Sequence, residues 1–212
     1  MPKKIVIDLD DFSLLNNDFD LLLKLKEHYP KLKVSLFMIP FHAEYEISSA
    51  HIFRESALKK LHENLDWLQI IPHGLTHIEK EFEKADKESM RLAMRAIDKI
   101  WAEQQIPYVK GFKAPQWLWN KDVVDVLDKE GWFGAVDRNQ PDMLKTKKFY
   151  EYNYSLSEPF YYSDLDVLKL HGHINLELDN DFSKCFLNLM KLPEDSEFCF
   201  VTDFLEDRDE KN

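Results

Sequence analysis

Histidines and carboxylates that could hold a metal ion lie in two short segments of the chain. The segment HGLTH places His73 and His77 four residues apart, so both imidazoles can reach one cation if the chain turns helically after Pro72. Two imidazoles leave a site incomplete, and a carboxylate from another strand would supply the third ligand. Asp11, in the acidic segment DLDD, is the candidate. Three protein ligands with open positions are typical of catalytic metal sites.

Two further polar segments, GFKAPQW and LKLHGH, follow later in the chain. Like DLDD and HGLTH, each stands at the end of a predicted strand. Functional residues of parallel α/β folds come from the carboxyl ends of strands, so the four segments favour one shared site. Metal binding is therefore a better interpretation of the histidines than a solvated pair on a helix face.

The elements that must position these residues alternate between strand and helix. The longest predicted helix, 86–105, has an apolar stripe formed by Met90, Met94, Ile97 and Trp101. The alternation implies an α/β fold with a mainly parallel sheet. Six or seven strand–helix units favour closure into a barrel over an open, doubly wound sheet. The predicted strands are KKIVIDL, KVSLFMI, WLQIIP, YVKGF, FGAVD, DVLKL and EFCFVTD.

The 212 residues suit a single domain, which we place at 1–205, followed by a polar C-terminal tail at 206–212. The stretch 138–163 is among the least regular, and whether it shapes a substrate cleft stays open. Two cysteines, Cys185 and Cys199, have apolar neighbours and are predicted to be buried thiols rather than ligands or nucleophiles.

The net charge of −11 argues against nucleic acid as a partner, because phosphate backbones are bound through lysine and arginine. No run reaches the roughly 18 apolar residues of a membrane helix, so no membrane association is expected. Acidic residues interrupt the apolar part of MPKKIVIDLDD too early for a signal peptide, which predicts a cytoplasmic location. The oligomeric state is not indicated.

Taken in order, LDDF, HGLTH, GFKAPQW and LKLHGH resemble the motifs of the NodB-homology polysaccharide deacetylases, carbohydrate esterase family four. The resemblance spans residues 5–173. It implies a single-domain distorted (β/α) barrel with six or seven parallel strands. It also implies a metal-dependent deacetylase, a hydrolase of C–N bonds other than peptide bonds. Such an enzyme removes an acetyl group from an N-acetylated sugar or a related small amide, and zinc is the expected metal.

The same resemblance assigns roles to individual residues. Asp11, His73 and His77 would be the metal ligands, and the neighbouring Asp10 would be the base that takes a proton from water. His171 would be the acid that protonates the departing amine, since its ordinary pKa lies near neutrality.

Other residues depart from the family pattern or match it less closely. Lys113 stands where the family has an arginine that orients the base, and lysine lacks the planar bidentate fork of arginine. Asp137, in AVDRNQ, is the best candidate for a carboxylate that orients His171, whereas His173 has no matching role. Trp117 and Trp119 could form a platform for a sugar ring or could fill the core.

Two rival interpretations use the same residues. VIDLDDF also resembles the first motif of haloacid-dehalogenase-like phosphatases, with Asp8 as nucleophile and Asp10 as its acid/base partner beside magnesium. That interpretation leaves the other three segments unexplained. A catalytically inactive carbohydrate-binding relative is favoured by Lys113, but a purely binding site would need neither Asp10 nor His171. No phosphate-binding glycine loop, dinucleotide fingerprint or serine-nucleophile elbow is present.

Overall fold

The computed structural model describes residues 3–15, 18–41, 50–158, 165–174 and 182–208. Its helices are α1 (Phe19–His28), α2 (Ala50–His62), α3 (Lys87–Glu103), α4 (Lys121–Glu130) and α5 (Phe182–Leu189). Its strands are β1 (Lys4–Phe12), β2 (Val34–Met38), β3 (Leu68–Pro72), β4 (Gly111–Phe112), β5 (Phe133–Val136), β6 (Lys148–Glu151), β7 (Tyr154–Ser155), β8 (Val167–His173), β9 (Glu197–Cys199) and β10 (Glu206–Asp207). Within these ranges, no helix has both the length and the apolar character needed to cross a membrane.

The strands are hydrogen-bonded in two sheets. The first has the order β3-β2-β1-β8-β7, with β9 also paired to β1, and the second has the order β10-β6-β5-β4. Pairing is parallel between β1 and β8, between β1 and β9, and between β5 and both β4 and β6. The predicted α/β class with a mainly parallel sheet is therefore confirmed. The described strands outnumber the expected six or seven because several short ones, such as β6, β7 and β10, carry only two to four residues.

The chain divides into two compact units, each assembled from three separate segments. Unit 1 comprises Met1–Leu36, Ile47–Gln69 and Tyr152–Asp203, and unit 2 comprises Phe37–Glu46, Ile70–Glu151 and Phe204–Asn212. Unit 1 contains β1, β7, β8 and β9 with α1, α2 and α5. Unit 2 contains β4, β5, β6 and β10 with α3 and α4.

Helix α3 confirms the helix predicted at 86–105, and its two ends lie within two residues of the predicted bounds. In α3 the predicted stripe of Met90, Met94, Ile97 and Trp101 is buried, and the carboxylate of Asp86 caps the helix by accepting the backbone N–H of Ser89. Residues 179–181, which directly precede α5, lie outside the described residues. So does the end of the irregular stretch, 159–163.

The polar tail begins later than the sequence indicated. Glu206 and Asp207 form β10 and pair antiparallel with Phe149 and Lys148 of β6, and Arg208 N–H donates to the carbonyl of Lys147. Backbone hydrogen bonds to a strand edge thus hold the first residues of the stretch that the sequence analysis placed in the polar tail. Residues 209–212 lie outside the described ranges.

Gly111 opens the segment that carries Lys113, and its lack of a side chain is required by packing. On the neighbouring strand Phe133 lies directly opposite, and a Cβ added to Gly111 would come within 2.3 Å of the Phe133 ring. The ring is 4% exposed, so it has little room to move away. Gly111 is thus a packing glycine rather than a flexible one.

We predict that Gly111→Ala lowers the free energy of unfolding by about 1 to 3 kcal/mol, because the added methyl overpacks the buried β4–β5 pair. Urea denaturation of the two proteins measures this difference. Gly111→Ala combined with Phe133→Leu should cost less than the sum of the two single changes, since the smaller side chain makes room for the methyl. Simple additivity of the two costs would contradict the packing explanation.

Candidate active site

The acidic residues of β1 meet the histidines of β8 because of the register between the two parallel strands. Asp8 pairs with His171 and Asp10 pairs with His173. Alternate residues of a strand point to the same face, so all four side chains belong to one face of the sheet in unit 1. Asp8, Asp10 and His171 are buried and His173 is half-buried.

A short hydrogen bond joins Asp8 and His171. Asp8 Oδ1 lies 2.6 Å from His171 Nδ1, and the two side chains are 0% and 7% exposed. An ionised carboxylate can only accept, so Nδ1 carries the proton of this hydrogen bond. The bond fixes the ring orientation and presents the other nitrogen, Nε2, away from Asp8. The Tyr152 ring packs against the imidazole with a centroid distance of 4.8 Å.

The sequence analysis named Asp137 as the candidate for this orienting carboxylate and did not consider Asp8 for it. In the structure the carboxylate bound to His171 Nδ1 is that of Asp8, while Asp137 accepts the backbone N–H of Asn139 in the turn after β5. Asp8 is thus a carboxylate that fixes the orientation of the His171 ring, and the role of Asp137 stays a prediction. The signal was present in VIDLDD, where Asp8 and Asp10 have the spacing of one strand face. Without the β1–β8 register it could not be interpreted.

Gly172, between the two histidines, faces the opposite side of the strand. A Cβ at this position would lie 2.8 Å from Cys185 Sγ on α5 and 3.0 Å from Leu156 Cδ1. The glycine therefore allows α5 to approach β8 closely, and Cys185 is buried as predicted. The glycine of HGH is therefore explained by the packing of Cys185 and Leu156 against this face of β8.

Left-handed backbone conformations are concentrated in the candidate segments. Asp11, His77, Gln116 and Trp117 all have positive φ angles, between 56° and 64°. Non-glycine residues adopt such angles at a cost of order 1 kcal/mol or more, and they persist where the surrounding structure enforces them. Asp11, which directly follows Asp10 near the end of β1, is also 7% exposed. The surrounding structure thus enforces left-handed conformations in the segments that contain Asp11, His77, Gln116 and Trp117.

In unit 2, HGLTH forms a loop rather than the helical turn that the sequence analysis assumed. Gly74 and His77 both have positive φ, 64° and 60°, which a right-handed turn excludes. The His73 and His77 rings still lie close, with centroids 4.9 Å apart. The expected pairing of the two rings is therefore reached by a different backbone path.

Glu81 holds this loop in place, and sequence reasoning did not identify it. Its two carboxylate oxygens accept the backbone N–H groups of Leu75, Thr76 and His77 at 3.0 to 3.2 Å, and the Thr76 hydroxyl at 2.9 Å. Gly74 is needed here as well, because a Cβ would lie 2.6 Å from Glu81 Oε2. One side chain thus satisfies three successive backbone donors.

The tautomer of His73 is set by the backbone of the third segment. The carbonyl of Lys113 accepts from Gly74 N–H at 3.0 Å and lies 3.1 Å from His73 Nδ1. A carbonyl only accepts, so Nδ1 is protonated and the lone pair is on Nε2. Metal-ligating histidines are typically oriented by such a bond. His73 therefore fits a metal ligand.

The side chain of Lys113 is enclosed by aromatic rings. It is 0% exposed, and its Nζ lies 3.8 Å from the centroid of Phe37 and 4.7 Å from that of Trp117. Both contacts are cation–π interactions. Trp117 is half-buried, whereas Trp119 is 6% exposed and stacks on Phe112. Trp119 is therefore a core residue, and Trp117 alone keeps the accessibility that a sugar platform needs.

These features define an α/β protein in which carboxylates and imidazoles stand together at the end of a parallel sheet. Solved structures of carbohydrate esterase family four have the same fold as this chain. A chitin deacetylase from Colletotrichum lindemuthianum is 12% identical, with a TM-score of 0.62 over 96% of this chain and 87% of that chain. The CE4 domain of a multidomain xylanase from the Trinervitermes trinervoides hindgut metagenome is 14% identical, with a TM-score of 0.57 over 96% and 89%.

Another structure with this fold is a CE4 family pseudoenzyme from Bacillus anthracis. It is 13% identical, with a TM-score of 0.57, and the match covers 95% of this chain and 65% of that chain. No family model matches the sequence, and no curated protein matches it significantly. The resemblance inferred from four short segments is thus confirmed by structure, at the level of the fold.

We predict that Glu81→Ala lowers the free energy of unfolding by about 1 to 3 kcal/mol, because three backbone N–H groups lose a charged acceptor. Amide hydrogen exchange at residues 75–77 should accelerate in parallel. Glu79→Ala is the matched control, since Glu79 is exposed and is not bonded to this loop through any described hydrogen bond. Unchanged exchange in Glu81→Ala would show that the loop does not depend on the carboxylate.

Asp8→Ala should destabilise the protein by about 1 to 3 kcal/mol, since it leaves the buried Nδ1–H of His171 without this acceptor. Asp8→Asn should cost less, because the amide oxygen can still accept the same hydrogen. Chemical denaturation of both variants tests the comparison. Equal losses in the two would mean that the hydrogen bond contributes nothing.

Proposed function

We propose that the chain is a metal-dependent hydrolase that removes an acetyl group from an N-acetylated sugar or a related amide. The observation that carries the proposal is the pair Asp10 and His171, both buried on adjacent strands β1 and β8. These are the two residues to which the family resemblance assigns the base and the acid. Burying a carboxylate and an imidazole costs desolvation free energy. Such groups are common at catalytic sites, so their burial supports a catalytic role.

Asp11, His73 and His77 are the proposed metal ligands, and zinc is the expected ion. One carboxylate and two imidazoles form a donor set that catalytic zinc commonly uses. His73 is prepared for this role because its Nδ1 donates to the Lys113 carbonyl, which leaves the Nε2 lone pair for a cation. A divalent metal in such a site supplies Lewis acidity, polarising a carbonyl and lowering the pKa of water.

The chain's own residues supply the proton transfers. Asp10 accepts a proton from water as the water oxygen adds to the acetyl carbonyl. His171 gives a proton to the amide nitrogen, so the C–N bond breaks with a neutral amine as the leaving group. Asp8 holds the imidazole through Nδ1 and stabilises the ring while it is positively charged.

The proposed substrate is a small acetylated amino sugar or a carbohydrate. The half-buried Trp117 is the candidate platform for its ring. A chain of net charge −11 disfavours polyanionic substrates such as nucleic acid. The cytoplasmic location stays a prediction.

The phosphatase alternative is less well supported by the environment of Asp8. A nucleophilic aspartate must reach the phosphorus of its substrate, but Asp8 is 0% exposed and 2.6 Å from His171. Its carboxylate is thus engaged as a hydrogen-bond acceptor. This contact favours an orienting role over nucleophilic attack.

A non-catalytic relative is the second candidate, and Lys113 favours it. The ammonium is enclosed by Phe37 and Trp117 and lacks the bidentate fork of the family's arginine. Such a protein would bind zinc and sugar without releasing acetate. Acetate release is therefore the observable that separates the two candidates.

We predict that protein loaded with one equivalent of zinc releases acetate from N-acetylglucosamine oligomers. His77→Ala should lose the zinc held by Asp11, His73 and His77, and with it the activity. Asp10→Asn and His171→Gln should keep the first zinc while kcat falls about 10²- to 10⁴-fold, because each removes a proton-transfer group. His62→Ala, on the exposed end of α2, is the control and should retain both. Tight zinc without acetate release in the unmodified protein would support the non-catalytic candidate instead.

A further inference from the structure

Unit 1 contains a second group of metal-type donors, separate from the proposed ligand set. Asp10, His171 and His173 each offer a ligand atom, and these atoms all lie within 4.8 Å of one another. The register explains the grouping, because Asp10 stands opposite His173 and His171 lies two residues earlier on the same face. The His171 and His173 rings are in edge contact, with centroids 5.1 Å apart.

Asp8 gives this group the outer support that metal sites require. Its carboxylate holds His171 through Nδ1 at 2.6 Å, so Nε2 is the ring nitrogen that remains to bind a cation. A carboxylate–histidine pair of this kind fixes the tautomer and raises the basicity of a ligating imidazole. The family resemblance gives His173 no role, so it does not explain why two histidines follow each other on this face.

The charge balance also favours a cation. Asp8 and Asp10 place two carboxylates, 0% and 2% exposed, on one face of the strand. A divalent cation beside them would be attracted to both carboxylates. The half-buried His173 lies at the edge of the group, where an ion can enter and keep water in its open positions.

We propose that Asp10, His171 and His173 form a second site for a divalent transition metal of the zinc type, with Asp8 as the outer-shell partner of His171. Two imidazoles and one carboxylate suit zinc and its neighbours better than magnesium or calcium, which prefer oxygen ligands. A consequence rests on the proposed function. Zinc in this site occupies the base and the acid, so excess zinc inhibits deacetylation.

The test is zinc stoichiometry in the tag-free protein, measured by equilibrium dialysis with elemental mass spectrometry and by calorimetric titration with zinc alone. The unmodified protein should bind two zinc ions. His173→Gln and His173→Ala should each bind one, His77→Ala should bind one, and the combination of His77→Ala with His173→Gln should bind none. His62→Ala should still bind two. Circular dichroism verifies that each variant is folded.

Affinity gives a second measurement that does not depend on stoichiometry. Asp8→Asn should weaken the binding of one of the two ions about 10- to 100-fold, as expected for loss of an outer-shell carboxylate. In the acetate assay, zinc beyond the first equivalent should lower the rate about 100-fold or more, because acid and base are both withdrawn. His173→Gln should lose this inhibition, measured relative to its own rate with one equivalent.

The outcomes separate this proposal from the proposed function. A single zinc that is lost in His77→Ala and retained in both His173 variants would overturn the second site and leave the proposed ligand set intact. A single zinc that is lost in the His173 variants and retained in His77→Ala would support the site in unit 1 and overturn the proposed ligands. No zinc in any of the proteins would overturn both.

Discussion

The parallel register between β1 and β8 is the constraint on which the candidate chemistry of unit 1 depends. Because residues alternate between the two faces of a strand, the register that sets Asp8 opposite His171 also sets Asp10 opposite His173. If one strand slipped by one residue, its polar side chains would turn to the opposite face of the sheet. The buried carboxylates and imidazoles would then no longer be in contact. The apolar residues Ile5, Ile7 and Leu9, all 0% exposed, hold the register through the alternate face.

In unit 2 the histidines are positioned by hydrogen bonds that involve backbone groups. The Lys113 carbonyl fixes the protonated nitrogen of His73, and the Glu81 carboxylate collects the N–H groups of Leu75, Thr76 and His77. These bonds hold HGLTH in a loop with left-handed residues rather than in a helix. The histidine pair is therefore kept by hydrogen bonds to its surroundings, since the loop has no regular secondary structure of its own.

Much of the fold was predictable because apolar periodicity depends on local sequence. Strands such as β1 and β8 and the buried stripe of α3 were predicted from patterns within a few residues. The orienting role of Asp8 was not, because its partner His171 is 163 residues away and only the register brings them together. Glu81 was missed for a related reason. Glu81 accepts hydrogen bonds from backbone N–H groups four to six residues earlier in the chain. A single acidic residue in a loop has no sequence pattern that would predict these bonds.

The residue types of the motifs predicted which side chains lie close together, but the backbone conformation assumed for HGLTH was wrong. HGLTH was interpreted through helical spacing, and the rings do meet, but through positive φ at Gly74 and His77. Trp117 and Trp119 were equivalent in sequence, and packing against Phe112 is what separates the core residue from the accessible one. Short strands such as β10 lie below the length at which alternation can be recognised.

The most direct test of this account is the ¹⁵N NMR spectrum of the His171 ring in the metal-free protein, assigned by comparison with His171→Gln. We expect a proton on Nδ1 that exchanges slowly with water and is absent or fast-exchanging in Asp8→Ala. A His171 ring protonated on Nε2 alone, or an Nδ1 proton with the same exchange rate in both proteins, would contradict the pairing of Asp8 with His171.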